Sequence, residues 1–276
     1  MQLALSTRWN AARCVGGHEL APNAKHAGFN AIALADFQSP ALLPELEKDV
    51  AASAIQVTSV GAEIATAREA LLLAERLRCP NVVLSLGRVA MSDATAKLAA
   101  LAGEGRIYQR DYIPVKLAAV TERAQSAKAA FDLSAELLRE IIPLAEVKNI
   151  RVAVTMGSTF EALPLLAELT ELLAHFPALG VWHDFGAVQK MANLGFLNHA
   201  EVIQTVAPRI TGAYVHDVAW PVEGHLVPFS AKGVPFDALM PLMPTGIPFV
   251  WDMQPSQRRI KISEARVDWL NRYSAR

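Results

Sequence analysis

The side chains of this sequence that could do chemistry collect where short apolar runs end. Arg8 and Asn10, Asp36, Glu63, Arg88, Thr155, the pair His183-Asp184, the pair His216-Asp217, and Asp252 with Gln254 each follow such a run. Carboxylates and imidazoles brought to one point can bind a divalent cation or move protons. Asp184, His216 and Asp252 form the candidate metal set for one weakly held ion, Mn2+, Zn2+ or Mg2+, and His216 and Asp252 are the candidate acid/base groups. Arg8, Arg88, Thr155 and Gln254 are candidate substrate-binding residues. Any one aspartate at a strand end has a plainer use, which is to cap the next helix. The three late residues taken together carry the functional reading.

The elements that must position these groups follow from the pattern of apolar residues. Short β-rich runs at 2–7, 30–36, 55–60, 81–86, 150–155, 179–184, 210–217 and 247–252 alternate with helical patterns, the signature of parallel βα units. Such units predict a (β/α)8 TIM barrel, expected here as a single domain over residues 1–276, whose strand ends open on one mouth. Ser39-Pro40 reads as a helix start, Thr66 and Glu69 are spaced as a capping box, and a long helix ends near Pro143. Alternation along a strand separates neighbours: if Asp184 faces the mouth, His183 faces the helices, and His216 and Asp217 divide in the same way. His183 then reads as a structural hydrogen-bonding residue, and His18, His26, His175 and His199 read as surface histidines. Two connections exceed what a barrel needs, 88–116 and 218–236. The first, with Arg106, Tyr108, Arg110 and Tyr112, is either a substrate lid or a surface excursion.

Composition narrows the classes. The 276 residues are 52% hydrophobic and 19% charged, which excludes a disordered chain. A formal net charge of −1 gives no reason to expect nucleic acid, and Arg258-Arg259-Ile260-Lys261 reads as flanking the last helix. No apolar run is long enough to span a membrane, and the first ten residues lack the pattern of a secretory signal, so a cytoplasmic location is the default expectation. Cys14 and Cys79 make no metal or redox motif and are expected reduced and packed. No organic cofactor is expected. Apolar helix faces leave a homo-oligomer open.

At the strand ends the chain resembles the xylose isomerase-like barrel superfamily, which includes sugar-phosphate isomerases and epimerases and the endonuclease IV type of repair enzyme. In that superfamily the sixth strand ends Asp-x-Gly-His, here Asp184-Phe185-Gly186-Ala187. The seventh carries a His-x-x-Asp variant, matched in part by Tyr214-Val215-His216-Asp217. A Gly- and Pro-containing loop follows, here Gly224-His225-Leu226-Val227-Pro228 through Gly233-Val234-Pro235-Phe236-Asp237. The eighth strand ends in Glu, where this chain has Asp252.

Three departures fall on the metal ligands that the resemblance implies. Thr155 replaces the fifth-strand Glu, Ala187 replaces the sixth-strand His, and Asp252 is one methylene shorter than Glu. Glu223 and His225 stand where the repair enzymes place an Asp-x-His pair and are candidates for supplying missing ligands, with His225 also a candidate substrate contact. Three readings stay open. One is a sugar, sugar-phosphate or polyol isomerase or epimerase around a divalent ion. The second is a metal-free barrel that binds a small polar ligand, and the third is a metal-independent enzyme using His216 or Asp252 as acid/base.

Overall fold

The structure, a computed structural model, describes residues 1–35, 43–52 and 54–274. Asp36 and the helix start at Ser39-Pro40 lie outside the described residues. Eight strands are barrel staves: β1 (Gln2–Ser6), β2 (Ala31–Leu34), β3 (Gln56–Glu63), β4 (Asn81–Ser85), β5 (Arg151–Val154), β6 (Gly180–Asp184), β7 (Ile210–Val215) and β10 (Pro248–Trp251). They close in the order β1-β10-β7-β6-β5-β4-β3-β2, every pairing parallel. Two further strands, β8 (Asp217–Ala219) and β9 (Glu223–Leu226), form an antiparallel hairpin beyond the end of β7.

Strand alternation sorts the core into two parts. Outward residues such as Leu5, Ile32, Val82, Leu84, Val152, Val181 and Val215 pack under the helices in the large cluster. Inward residues Ala4, Ala31, Ala33, Val83, Ala153, Trp182, Tyr214 and Val250 form a separate cluster inside the barrel. The small side chains make room for Trp182, which is fully buried and pairs in register with Gly212. A Cβ on Gly212 would stand 2.3 Å from the indole, so this position has space for hydrogen alone.

The helices are α1 (Thr7–Asn10), α2 (Leu20–His26), α3 (Leu43–Ala51), α4 (Ala67–Arg76), α5 (Ala94–Gly103), α6 (Tyr112–Val147), α7 (Leu166–His175), α8 (Phe185–Asn193), α9 (His199–Val206), α10 (Phe236–Leu239) and α11 (Arg259–Tyr273). Among the described residues no helix is long and apolar enough to cross a membrane. Several local expectations need correction. The Thr66–Glu69 capping box does not form, because the Thr66 hydroxyl donates to the Glu63 carbonyl instead. Pro143 lies inside α6, which runs on to Val147. Residues 88–116 are not an open loop. They hold α5 and the start of α6, and Leu98, Ala102 and Tyr112 pack with Leu194 into a buried cluster of their own. The Tyr112 hydroxyl fixes this unit by donating to the Leu194 carbonyl at 2.9 Å.

The 218–236 connection is ordered by one buried side chain. Asp217 points away from the mouth, as alternation requires, and is fully buried. Its carboxylate accepts from the amides of Val218, Ala231, Lys232, Gly233 and Val234 at 2.8–3.1 Å. A segment with little regular structure is thereby held against the barrel rim. Cys79 is buried and its thiol is pushed up to about 12 by burial, whereas Cys14 is half-buried, and both are free thiols.

Candidate functional site

The C-terminal strand ends surround a cavity of about 220 Å³. That is smaller than the clefts that hold drug-sized ligands, and it suits a small molecule. Arg8, Glu63, Thr155, Asp184, Lys190, Tyr214, His216, His225 and Asp252 are among its lining residues. Arg88 and Gln254 are not brought to it. The Arg88 guanidinium lies 3.6 Å from the buried carboxylate of Glu161, and Gln254 reaches the Gly224 carbonyl at 3.5 Å. Asn10 is also elsewhere, donating to the Leu20 carbonyl. Nothing in residues 88–116 is among the lining residues of this cavity. Glu223 is exposed on β9 and outside the lining. A larger cavity of about 850 Å³ opens at the other end of the barrel, among Gln56, Asn81, Arg151 and Pro248, and contains no histidine.

Two carboxylate–imidazole pairs face each other in the mouth. In the first, Asp184 Oδ1 lies 3.1 Å from His216 Nε2 and accepts from the Ala187 amide at 2.8 Å. Asp184 therefore does what a strand-end aspartate does most simply, capping α8, while also gripping His216. The His216 ring is pinned from its other side, because the His225 amide donates to Nδ1 at 2.9 Å. The Asp217 carbonyl also lies 3.3 Å from Nδ1, but a backbone amide can only donate, and its shorter contact leaves no room for a second hydrogen there. Nε2 then carries the ring hydrogen and donates to Asp184.

In the second pair, His225 Nδ1 lies 3.1 Å from Asp252 Oδ2 and 3.0 Å from the Asp252 carbonyl. Both neighbours are acceptors, so Nδ1 bears the hydrogen and Nε2 keeps a lone pair. Arg8 Nε completes the arrangement, 3.1 and 3.0 Å from the two oxygens of Asp252. The His216 and His225 rings stack with centroids 4.3 Å apart. His225 has a φ of +58°, a region uncommon for a side chain of this size. The hairpin holds it there.

Charge balance keeps both aspartates ionised. Burial opposes the charge on Asp184, but the His216 contact, the Ala187 amide and His225 outweigh it and hold the carboxyl well below its usual range. For Asp252, burial is likewise outweighed, by the His225 hydrogen bond and the Arg8 guanidinium.

The hydrogen bonds also test the expected metal set. A divalent ion needs several lone pairs converging on one point. Asp252 is occupied on both oxygens, His216 has no open ring nitrogen, and Asp184 keeps Oδ2 alone. Among the described residues no three His, Cys, Asp or Glu side chains are arranged to hold an ion. Asp184, His216 and Asp252 converge, but they satisfy one another, Arg8 and His225 rather than a metal.

Sequence reasoning missed Lys190. It lies on α8 three residues after Ala187 and so on the same helix face. Side chains on a helix lean toward its N-terminus, which here carries the long Lys190 stem back over the mouth. A lysine one turn beyond Asp184-Phe185-Gly186-Ala187 was the available signal. His199 was also misjudged: it is buried, with Nε2 3.1 Å from His183 Nε2 and Nδ1 2.9 Å from Gln189 Oε1.

Gly186 shows how closely the pairs are packed. A Cβ there would stand 1.7 Å from His216 Cε1. Gly186→Ala is expected to cost about 1–3 kcal/mol through overpacking and to break the Asp184–His216 contact. Histidine chemical shifts and a thermal melt check it, and an unmoved His216 ring would contradict the packing.

No protein-family model matches the chain, and no curated protein matches it by sequence. Solved structures do match over the full length. The probable 3-DHS dehydratase AsbF from Bacillus anthracis is 13% identical, with 99% of this chain and 100% of that one covered and a TM-score of 0.70. A D-tagatose 3-epimerase-like protein is 14% identical over 98% and 97%, with a TM-score of 0.68. The IOLI protein with a binding zinc atom is 10% identical over 100% and 99%, with a TM-score of 0.66. With its closed eight-stranded parallel barrel, the chain shares the (β/α)8 TIM-barrel fold of these structures.

Proposed function

We propose that the protein binds a small sugar or polyol-derived carbonyl compound in the barrel mouth and isomerises or epimerises it without a bound metal. The observation that carries this reading is His225, a residue of the cavity lining held through Nδ1 by the carboxylate and carbonyl of Asp252, which leaves the Nε2 lone pair as the available base. An imidazole oriented by a buried carboxylate is suited to proton transfer near neutral pH. His225 Nε2 takes the proton from the carbon beside the ligand carbonyl. The electron pair of that C–H bond becomes a carbon–carbon double bond, and the carbonyl oxygen gains the negative charge. Protonation of that carbon on its other face by water, with His225 giving its proton up to solvent, gives an epimer. Delivery of the His225 proton to the neighbouring carbon, with proton movement between the oxygens, gives an isomer. In this reading His216 and Asp252 are positioning residues, because neither has an open site for a proton. The fold shared with a D-tagatose 3-epimerase-like protein supports the ligand class.

The test is solvent deuterium exchange. Protein freed of metal with EDTA is incubated in D2O with a panel of aldoses and ketoses, and label beside the carbonyl is read by NMR. Exchange is expected for at least one sugar, unchanged by EDTA or added Mn2+ and lost in His225→Gln. Exchange that appears only with added Mn2+, or none on any sugar, would overturn the reading.

A further inference from the structure

The mouth contains a cation that neither pair uses. Arg8 is committed to Asp252 through Nε. Lys190 lines the same cavity, and among the described residues its ammonium makes no hydrogen bond or ion pair. The charges of Asp184 and Asp252 reach it through space, and burial lowers its pKa from the ordinary value. Its seat is defined by backbone. A Cβ on Gly224 would stand 2.6 Å from Lys190 Nζ and 3.1 Å from His216 Cε1, so the ammonium rests over Gly224, next in the chain to His225. A half-buried ammonium with three open donors is best met by something with oxygen lone pairs.

We infer that Lys190 is the ligand-facing cation of this mouth, the group that receives the ligand's carbonyl oxygen and the negative charge that develops on it. The inference deepens the proposed proton transfer and rests on it for the reaction, though not for the binding. A fixed positive charge aimed at developing oxyanion charge lowers the barrier to forming an enediolate, the task a divalent ion otherwise performs. Here that charge is carried on the helix face of Ala187, where the superfamily the chain resembles has a histidine. The ligand class is a compound whose carbonyl becomes an enediolate, and its binding requires no metal.

Acetohydroxamate, a small planar anion resembling an enediolate, is the probe, with binding to EDTA-treated protein measured by calorimetry. Wild type is expected to bind it, and Lys190→Met to bind it roughly tenfold or more weakly, the size of a lost hydrogen bond to a charged group. Gly224→Ala is a second, independent variant. Its added methyl would stand 2.5 and 2.6 Å from the flexible end of Lys190 and 3.1 Å from His216 Cε1, so binding should fall as in Lys190→Met, while histidine chemical shifts separate a displaced lysine from a shifted His216 ring. Ethylammonium added to Lys190→Ala should restore part of the binding, which a merely structural lysine would not allow. Wild type that ignores the probe, or both variants binding it like wild type, would overturn the inference. Lysine-dependent binding with no deuterium exchange on any sugar would sink the proposed reaction and leave the Lys190 site standing.

Discussion

Asp217→Ala is expected to lower the thermal midpoint by roughly 10 °C, the largest loss from any single substitution considered for this protein. The wild-type carboxylate is fully buried and accepts from five backbone amides, four of them between Ala231 and Val234. Alanine leaves those donors in a space too dry to rehydrate them fully. Each unsatisfied buried donor costs about 1–3 kcal/mol, and removal of a buried, bonded charge typically costs about 3–5 kcal/mol in total. A domain of this size loses about 2–4 °C per kcal/mol, which gives the stated shift. Asp217→Asn keeps one oxygen but turns an NH2 toward amide hydrogens, so an intermediate loss is expected. The same strap follows the hairpin that presents His225, so hydrogen exchange should rise across 218–236 before the barrel strands open. A midpoint within about 2 °C of wild type would show that water replaces the carboxylate and that it is not the staple described.

The Asp217 result also marks where sequence reading succeeds and where it stops. All eight barrel strands were legible, because apolar runs bounded by turns have one economical arrangement when helices lie between them. The division of His183 from Asp184, and of His216 from Asp217, was legible too, since alternation admits no intermediate state. Distances between side chains were not. Thr155, Asp184, His216 and Asp252 do share a cavity, but spacing could not say that Arg8 would take both oxygens of Asp252. It could not say that the His225 amide would close His216 Nδ1. Those bonds turn a candidate metal set into two satisfied pairs. Lys190 escaped notice because its Cα belongs to a helix rather than to a strand end, and only the length of its side chain brings it to the mouth. Arg88 and Gln254 show the opposite: they follow strands, yet nearer partners hold them outside the cavity lining. His199 looked like a surface residue because a partner sixteen positions away in the chain, His183, decides its burial.

That buried histidine pair should make the protein sensitive to mild acid. Gln189 Oε1 can only accept, so His199 Nδ1 donates to it and His199 Nε2 must accept from His183 Nε2–H. His199 can take a second proton only on Nε2, which breaks this chain of bonds, and His183 only on Nδ1, in a ring that is itself buried. Burial is the main cause that lowers the His183 pKa, to about 4 against an ordinary 6.5, and it also lowers that of His199 well below the same value. The neighbouring Asp184 charge only partly opposes the shift. Because the folded values lie below the unfolded ones, the unfolded chain binds more protons throughout the window between them. Stability is therefore full above about pH 6.5 and falls as the pH drops toward 4. At about 1.4 kcal/mol per unit, His183 alone accounts for roughly 3 kcal/mol across that window, and His199 adds a loss of the same sign. Asp184 and Asp252, whose folded values are lowered, begin to contribute only below about pH 4, so the two effects separate along the pH axis. Urea unfolding at pH 7.5, 6.0 and 5.0 measures the slope. His183→Gln with His199→Gln should flatten it, whatever the double variant costs at neutral pH. A wild-type stability that stays level from pH 7 to pH 5 would mean that the pair takes up protons in the folded state as readily as in the unfolded chain.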